Sequence, residues 1–409
     1  MGRSAGNTRL KSARLAAGYA SQQALADALG VGVRQVRRWE SPNPPWPQPD
    51  VQQVLTRTLG QDLESLGFTP PDGMAANSRH RTALTAMPLA ASHAAIPTQA
   101  VAPLQPATVA ADYAVVTRSH RRLYRSVAPA VLHPPVLAHS TLGCALLPQT
   151  AGQTRATVAV ALAETFMLAG RIEFFDLREP ERAAQTLLRA LQAAAEADAP
   201  LLGSAILAHT AFIPGWEGRR DEAVERMTAA RTYARRGPAS AEFLAWLDAV
   251  EAECETRCGN SRTALHLIGH AEDVLASGSE HASPEWLDWF SPARLAAFKG
   301  NTQLTAGHLP QARETLLAVL GSFNSGEEKQ TTVVLGDLAA VEAAANDPEA
   351  ACRYALRALD QLERTWYAMG MDRVREVRRA LVPHQHKRCV RELDDRLYGW
   401  STTVSALAR

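Results

Sequence analysis

Along residues 22–40, QQALADALGVGVRQVRRWE, apolar positions recur at helical spacing, stop at a glycine, and recur again. Leu25 and Ala26 lie four and three residues before Leu29, the spacing of a buried helical stripe. Ser21 precedes the stripe and can cap the helix through its side-chain oxygen. Gly30 ends it where a left-handed turn needs no Cβ. Ala26 is small enough to let a second helix cross closely. Val33, Val36 and Trp39 then begin a new helical pattern, with Val36 and Trp39 able to face inward. Arg34, Arg37 and Arg38 share another face, where they are free to meet phosphates or base edges in a major groove.

The same periodicity predicts helices over 8–18 and 50–59, and a last short one ending at 66–68. From residue 69 the pattern fades. Pro, Ala, Thr and Ser dominate, with prolines at 70, 71, 88, 97, 103 and 106, so 70–110 reads as a largely disordered linker with room for a short helix over 82–91. Beyond residue 112 alanine and leucine abound, no alternating strand pattern appears, and helix is predicted almost throughout.

A weak repeat runs through that second part. A turn residue is followed five positions later by alanine and four later by a residue that is usually apolar. The sets are Arg178, Ala183, Leu187; Gly218, Ala223, Met227; Gly259, Ala264, Ile268; Gly307, Ala312, Leu316; and Asn346, Ala351, Ala355. The alanines are 40, 41, 48 and 39 residues apart. Each marks the start of a second helix crossing closely over the first. Neighbouring pairs then bury one another's apolar faces, as in a helical solenoid.

Residues 22–40 resemble the helix-turn-helix of the λ-repressor-like (XRE) DNA-binding family, and the resemblance runs from about residue 8 to 68. Gln22, Leu25, Ala26, Leu29, Gly30, Val31, Val36 and Trp39 fall at its characteristic places. It implies a five-helix head in which Gln22 anchors a phosphate and Val33 meets a thymine methyl. Arg34, Arg37 and Arg38 would read guanines or hold phosphates, on two half-sites about one helical turn apart. The loop 41–49, SPNPPWPQP, is longer and richer in proline than in many relatives. It offers Asn43 or Gln48 to the DNA backbone, or else it is a stiff connector with Trp46 packed on the head.

The later segments resemble tetratricopeptide (TPR) repeats, LTAGHLPQARETLLAVL at 304–320 most clearly. The period is longer than usual and the full consensus is absent, so they are TPR-like. EFFDL (173–177), FLAWLDAVEAE (243–253) and WLDWFSPARLAAFKG (286–300) extend the likeness to actinobacterial regulators with an XRE head and a TPR-like body. Residues 112–147 read as an N-terminal cap for the solenoid. Its cluster Arg118, Arg121, Arg122 and Arg125 reads as a solvated helix face first, and otherwise as a contact to DNA or an acidic partner.

Charge sharpens this division. The chain of 409 residues has a net charge of +1, yet residues 1–60 carry eight Arg/Lys against Asp27, Glu40 and Asp50, a balance of +5 that leaves −4 for the rest. A basic head on a mildly acidic body suits a nucleic-acid module joined to a larger domain. Polar residues after Met1 argue against a secretory signal, and no uncharged apolar run of membrane-spanning length is expected. Five scattered cysteines do not suggest a disulfide framework, and the cytoplasm is the expected compartment.

Cys254, Cys258, His266 and His270 have pairwise i, i+4 spacing, as zinc ligands can. The repeat turn at Gly259 and Ala264 already accounts for the segment, and no metal is expected. No nucleophile elbow, phosphate loop or zinc-protease motif is present, so no enzyme is expected. Trp246, Trp286 and Trp289 are candidates to line a ligand surface on the concave face of the solenoid.

The expectation is an all-α protein. It comprises a helix-turn-helix head over 1–69, a Pro/Ala-rich linker over 70–110, and a TPR-like body over 111–409. The head would bind double-stranded operator DNA. The body would form a homodimer and sense a peptide, protein or small molecule, without a cofactor. The rival is a TPR-like interaction scaffold whose head no longer binds DNA specifically.

Overall fold

A computed structural model describes residues 6–59, 61, 63, 65–69, 104–323 and 326–407. Helix dominates, and no strand occurs among the described residues. The chain divides into two compact units, within 1–97 and 98–409. The linker expected over 70–110 and its short helix at 82–91 lie largely outside the described residues. The second unit is already ordered at Gln105, whose backbone N–H donates to the Gln149 carbonyl oxygen at 2.8 Å. Its first helix starts at Thr108, so the body begins a few residues earlier than expected.

In the first unit, helices α1 (Thr8–Ala16), α2 (Gln22–Leu29), α3 (Val33–Trp39) and α4 (Pro49–Leu59) enclose a small core. The local signals act as read. Ser21 Oγ accepts from the Ala24 N–H at 3.0 Å, and Gly30 caps α2 at φ 68°. Leu25, Ala26, Val36 and Trp39 are buried and pack α2 on α3. The last predicted helix is not seen where the segment is described: residues 61, 63 and 65–68 lie in bends, turns or irregular backbone, with Leu66 and Phe68 buried against this core. Trp46 of the proline-rich loop also packs against it.

The second unit opens with α5 (Thr108–Leu123) and α6 (Pro129–Leu146), both packed on α7 (Gly152–Arg171). Five helix pairs follow: α7 with α8 (Pro180–Glu196), α9 (Pro200–Trp216) with α10 (Arg220–Ala234), α11 (Ala241–Arg257) with α12 (Ser261–Ser277), α13 (Pro292–Thr305) with α14 (Leu309–Ser322), and α15 (Glu328–Ala344) with α16 (Pro348–Arg364). α17 (Ala368–Ala380) and α18 (Arg388–Leu407) complete the chain. All five repeat alanines are essentially inaccessible at the start of a second helix. The five turn residues share the left-handed conformation, with φ of 61°, 71°, 82°, 79° and 62° in chain order. Gly218, Gly259 and Gly307 adopt it without a Cβ clash, whereas Arg178 and Asn346 carry the strain.

The first helix of each pair also packs on the first helix of the next. The first helices thus form an inner layer, and the second helices an outer one. α9, without a charged residue, is buried on most of its surface because it is enclosed by its partner, its neighbours and the inner face. The amphipathic α8 and α16 bury one stripe and expose the other.

The row of pairs curls until its end meets its beginning. After α7 the chain passes through a π-helical turn, Ile172–Leu177, against which α17 packs. Lys329 of α15 reaches Asp176 of that turn at 3.2 Å, and Arg178 pairs with Asp372 of α17.

Two expectations are corrected. Arg121 does not lie on a solvated face: its side chain is 11% exposed, and its guanidinium bonds Glu164 at 2.6 Å and Asp288 at 3.1 Å. Asp288 also holds Arg125, at 3.4 Å. The long loop between α12 and α13 supplies Asp288, a partner invisible to helical periodicity. The second correction concerns residues 129–149, which are long and apolar enough to cross a membrane by length and composition. α6 nevertheless packs on α7, and its polar groups have protein partners. His133 meets Glu173 at 3.0 Å, and His139 meets Thr117 at 3.0 Å.

Candidate functional site

Two surfaces follow from these elements, one in each unit. In the head, the buried side of α3 is fixed by Val36 and Trp39, which leaves Arg34, Arg37 and Arg38 exposed on the other side. None of the three enters an ion pair among the described residues. Val33 is half-buried against the core edge, and Asn43 is exposed in the proline-rich loop. Gln22 is already engaged: its Nε2 donates to Glu40 Oε2 at 2.6 Å. Glu40 Oε1 accepts from Arg14 Nε at 2.7 Å, and this ion pair is almost fully buried. A carboxylate at the end of α3 thus ties α1 and α2 to the helix that carries the arginines.

In the body, the inner layer encloses a cleft. The longest alanine interval, 48 residues, contains the irregular loop 278–291, which delivers Trp289 and Phe290 to it. Every first helix from α7 to α15 contributes lining residues, and none comes from the second helices. Closure against α17 adds Tyr367 and Arg373. The cleft encloses about 940 Å³, part of it open to solvent. An outer recess of about 1220 Å³ shares Tyr124, Arg171, Trp289, Phe290, Arg294, Lys329 and Gln330 with it.

Aromatic rings form much of the wall. Trp289 lies 5.8 Å from Trp246 and 5.5 Å from His209 between ring centroids. Of the three tryptophans singled out in the sequence, Trp246 and Trp289 line the cleft. Trp286 does not. It is buried beneath, stacked on Trp289 at 5.8 Å and edge-on to Phe243. Helical spacing could not separate these roles, because the distinction arises in a loop without periodicity.

The charged groups were missed in the sequence. Lys329 Nζ sits 3.5 Å from the Tyr124 ring centroid and bonds Asp176, which also accepts from the Tyr124 hydroxyl at 2.6 Å. Burial raises the Asp176 pKa despite Lys329 and lowers that of Lys329 despite Asp176. Arg373 forms an ion pair with Asp337, its Nε 3.0 Å from Oδ1 without hydrogen-bond geometry, and burial pushes the Asp337 carboxyl up to about 6. Glu253 is held by Arg257 at 3.0 Å. Arg171 lies over the Trp289 ring at 4.3 Å and the Tyr124 ring at 5.4 Å. The one signal for Arg171 in the sequence is its place as the cation that ends the apolar run TFMLAGR.

His209 Nδ1 donates to the Ala205 carbonyl oxygen at 2.8 Å, which fixes a neutral tautomer. Burial, reinforced by the nearby Arg171 charge, lowers its pKa to about 3. The possible zinc ligands are dispersed among separate packing tasks. Cys254 is buried against the Ala211 carbonyl, and His270 bonds Asp248 at 2.7 Å. No family model matches this chain, and no curated protein matches it.

Proposed function

We propose that this chain is a cytoplasmic, sequence-specific DNA-binding transcriptional regulator. Its head is of the λ-repressor-like (XRE) kind, and its TPR-like body senses an effector in the inner cleft and joins two copies. The observation that carries this reading is α3. One face is core, and the other presents Arg34, Arg37 and Arg38 exposed and without ion-pair partners among the described residues. Three adjacent guanidiniums of this kind suit phosphates and the O6 and N7 acceptors of guanine. Double-stranded operator DNA is therefore the partner proposed for the head. Two copies would supply the two half-sites that one small head cannot read alone.

The test is selection of bound duplexes from a random pool by the full chain, followed by affinity measurements over a range of salt. Binding should weaken steeply as salt rises. Arg34→Ala or Arg37→Ala should each cost about 1–3 kcal/mol at the selected site and relax one base position per half-site. Full affinity and unchanged preference in both variants would overturn the assignment of α3. A chain that selects no sequence would leave the interaction scaffold as the better reading.

A further inference from the structure

The cleft contains more positive charge than it neutralises internally. The acidic groups in it and just behind it are engaged: Asp337 with Arg373, Glu253 with Arg257, and Asp176 with Lys329. Arg171 and Arg294 remain. Both line the inner cleft and the outer recess, and neither has an ion-pair partner among the described residues. Glu327 lines the outer recess and acts on Arg294 only at longer range, with no ion pair between them. The Nε of Arg171 and the Nε1 of Trp289 are buried donors without an acceptor among the described residues.

The two guanidiniums feel each other. Burial and the Arg171 charge act together to bring the Arg294 pKa down to about 10, while the tyrosines and Glu327 oppose them in part. Arg171 also disfavours the charged forms of Lys329 and His209. Arg171 is thus the centre of a like-charge cluster in a half-enclosed, aromatic-walled site. An oxyanion there would relieve the repulsion and accept charge-assisted hydrogen bonds from both arginines. Neutral His209 supplies no competing charge. The Trp289 ring, with Arg171 on it, and the adjacent Phe290 offer a surface for a planar apolar body.

We propose that the cleft is a receptor site for a small aromatic oxyanion, with its charged group on Arg171 and Arg294 and its ring system against Trp289 and Phe290. This rests on the reading of the body as a sensor, but its test does not depend on DNA. The probes are 2-naphthoate, 2-naphthyl phosphate and the neutral 2-naphthamide, titrated into the full chain by calorimetry. Gly-Gly-Trp and its C-terminal amide form a second pair, which asks whether the anion can be a peptide carboxylate.

At least one naphthyl anion should bind about ten-fold or more tighter than 2-naphthamide, the size of one charge-assisted hydrogen bond. Arg171→Met and Arg294→Met, checked for folding by circular dichroism, should each shrink that preference several-fold. Arg171→Lys should retain more of it than Arg171→Met. A similar preference for the free tripeptide over its amide would place the source at a chain terminus, whereas preference among the naphthyl probes alone would place it in a free small molecule. Equal binding of anions and amide, binding by none of the probes, or an anion preference unchanged in both Met variants would overturn the proposal. If that happens while the full chain still selects DNA, only the ligand class is wrong. If DNA selection fails while the anion preference holds, the receptor site stands without the regulator.

Discussion

His209 shows how one residue registers its surroundings. Its ring is 5% exposed, lies among Phe212, Trp246 and Trp289, and commits Nδ1–H to a backbone carbonyl. Protonation would put a second charge beside Arg171 in a poorly solvated site, so the folded protein keeps the ring neutral to a pH of about 3. The unfolded chain takes up that proton near pH 6.5. Below 6.5 the unfolded state therefore binds more protons at this position, and stability is lost as pH falls through the window from 6.5 to 3. Asp176, Asp337 and Glu164 are shifted upward by burial and run the other way, so the informative quantity is a difference between proteins. Relative to His209→Phe, the wild-type chain should lose about 2 kcal/mol of unfolding free energy between pH 7 and pH 5, measured by urea titration. Parallel pH profiles would show that His209 titrates normally in the folded protein.

At the scale of elements, the close approach of paired helices depends on small residues on both sides. The repeat alanines of the second helices were legible in the sequence. Their counterparts on the first helices were not, because those glycines have no regular spacing. A Cβ built at Gly170 of α7 would lie 2.8 Å from Leu187 Cγ, and one at Gly300 of α13 would lie 2.6 Å from Leu316 Cγ. Leu187 and Leu316 occupy the same place in their repeats, and both are inaccessible and cannot retreat. Gly269 of α12 has no atom within 4 Å of its virtual Cβ. The same substitution should thus have opposite signs. Gly170→Ala should destabilise the body by about 1–3 kcal/mol through overpacking, which outweighs the gain in helix propensity. Gly269→Ala should stabilise it by up to about 1 kcal/mol. Thermal unfolding of the two variants beside the parent decides the matter; two shifts of the same sign would contradict this account of the crossings.

For the whole body, closure is fixed by buried polar groups that join distant parts of the chain. Asp176 and Lys329 are 153 positions apart and their side chains are 0% and 8% exposed, with the Tyr124 hydroxyl as the third member. The half-exposed Arg178–Asp372 pair at the same junction contributes less by comparison. Asp176→Asn leaves Lys329 buried without its counter-charge and should cost about 3–5 kcal/mol. The double variant Asp176→Asn, Lys329→Met should recover much of that loss. Urea unfolding of the set is the check, and a loss below about 1 kcal/mol in the single variant would show that the junction is not held in this way.

Local geometry follows from short stretches of the chain. Cap, stripe and glycine stop placed α2 and α3, and the recurring turn and alanine placed the starts of five outer helices, because these features depend on residues within a few positions of one another. The exposed side of α3 was also legible, since a short helix with two buried residues has only one face left. The folded chain alone settles that the pairs curl until α17 meets the turn after α7. That contact depends on small rotations summed over five interfaces, which no local pattern encodes. The fold also settles which aromatics line the cleft, because Trp286 and Trp289 sit in one irregular loop and differ only in what covers them. The arginines of the cleft were illegible for the same reason. A charge near apolar sequence reads as an ordinary helix terminus until the fold brings Arg171 and Arg294 to one cleft, where no carboxylate among the described residues forms an ion pair with either.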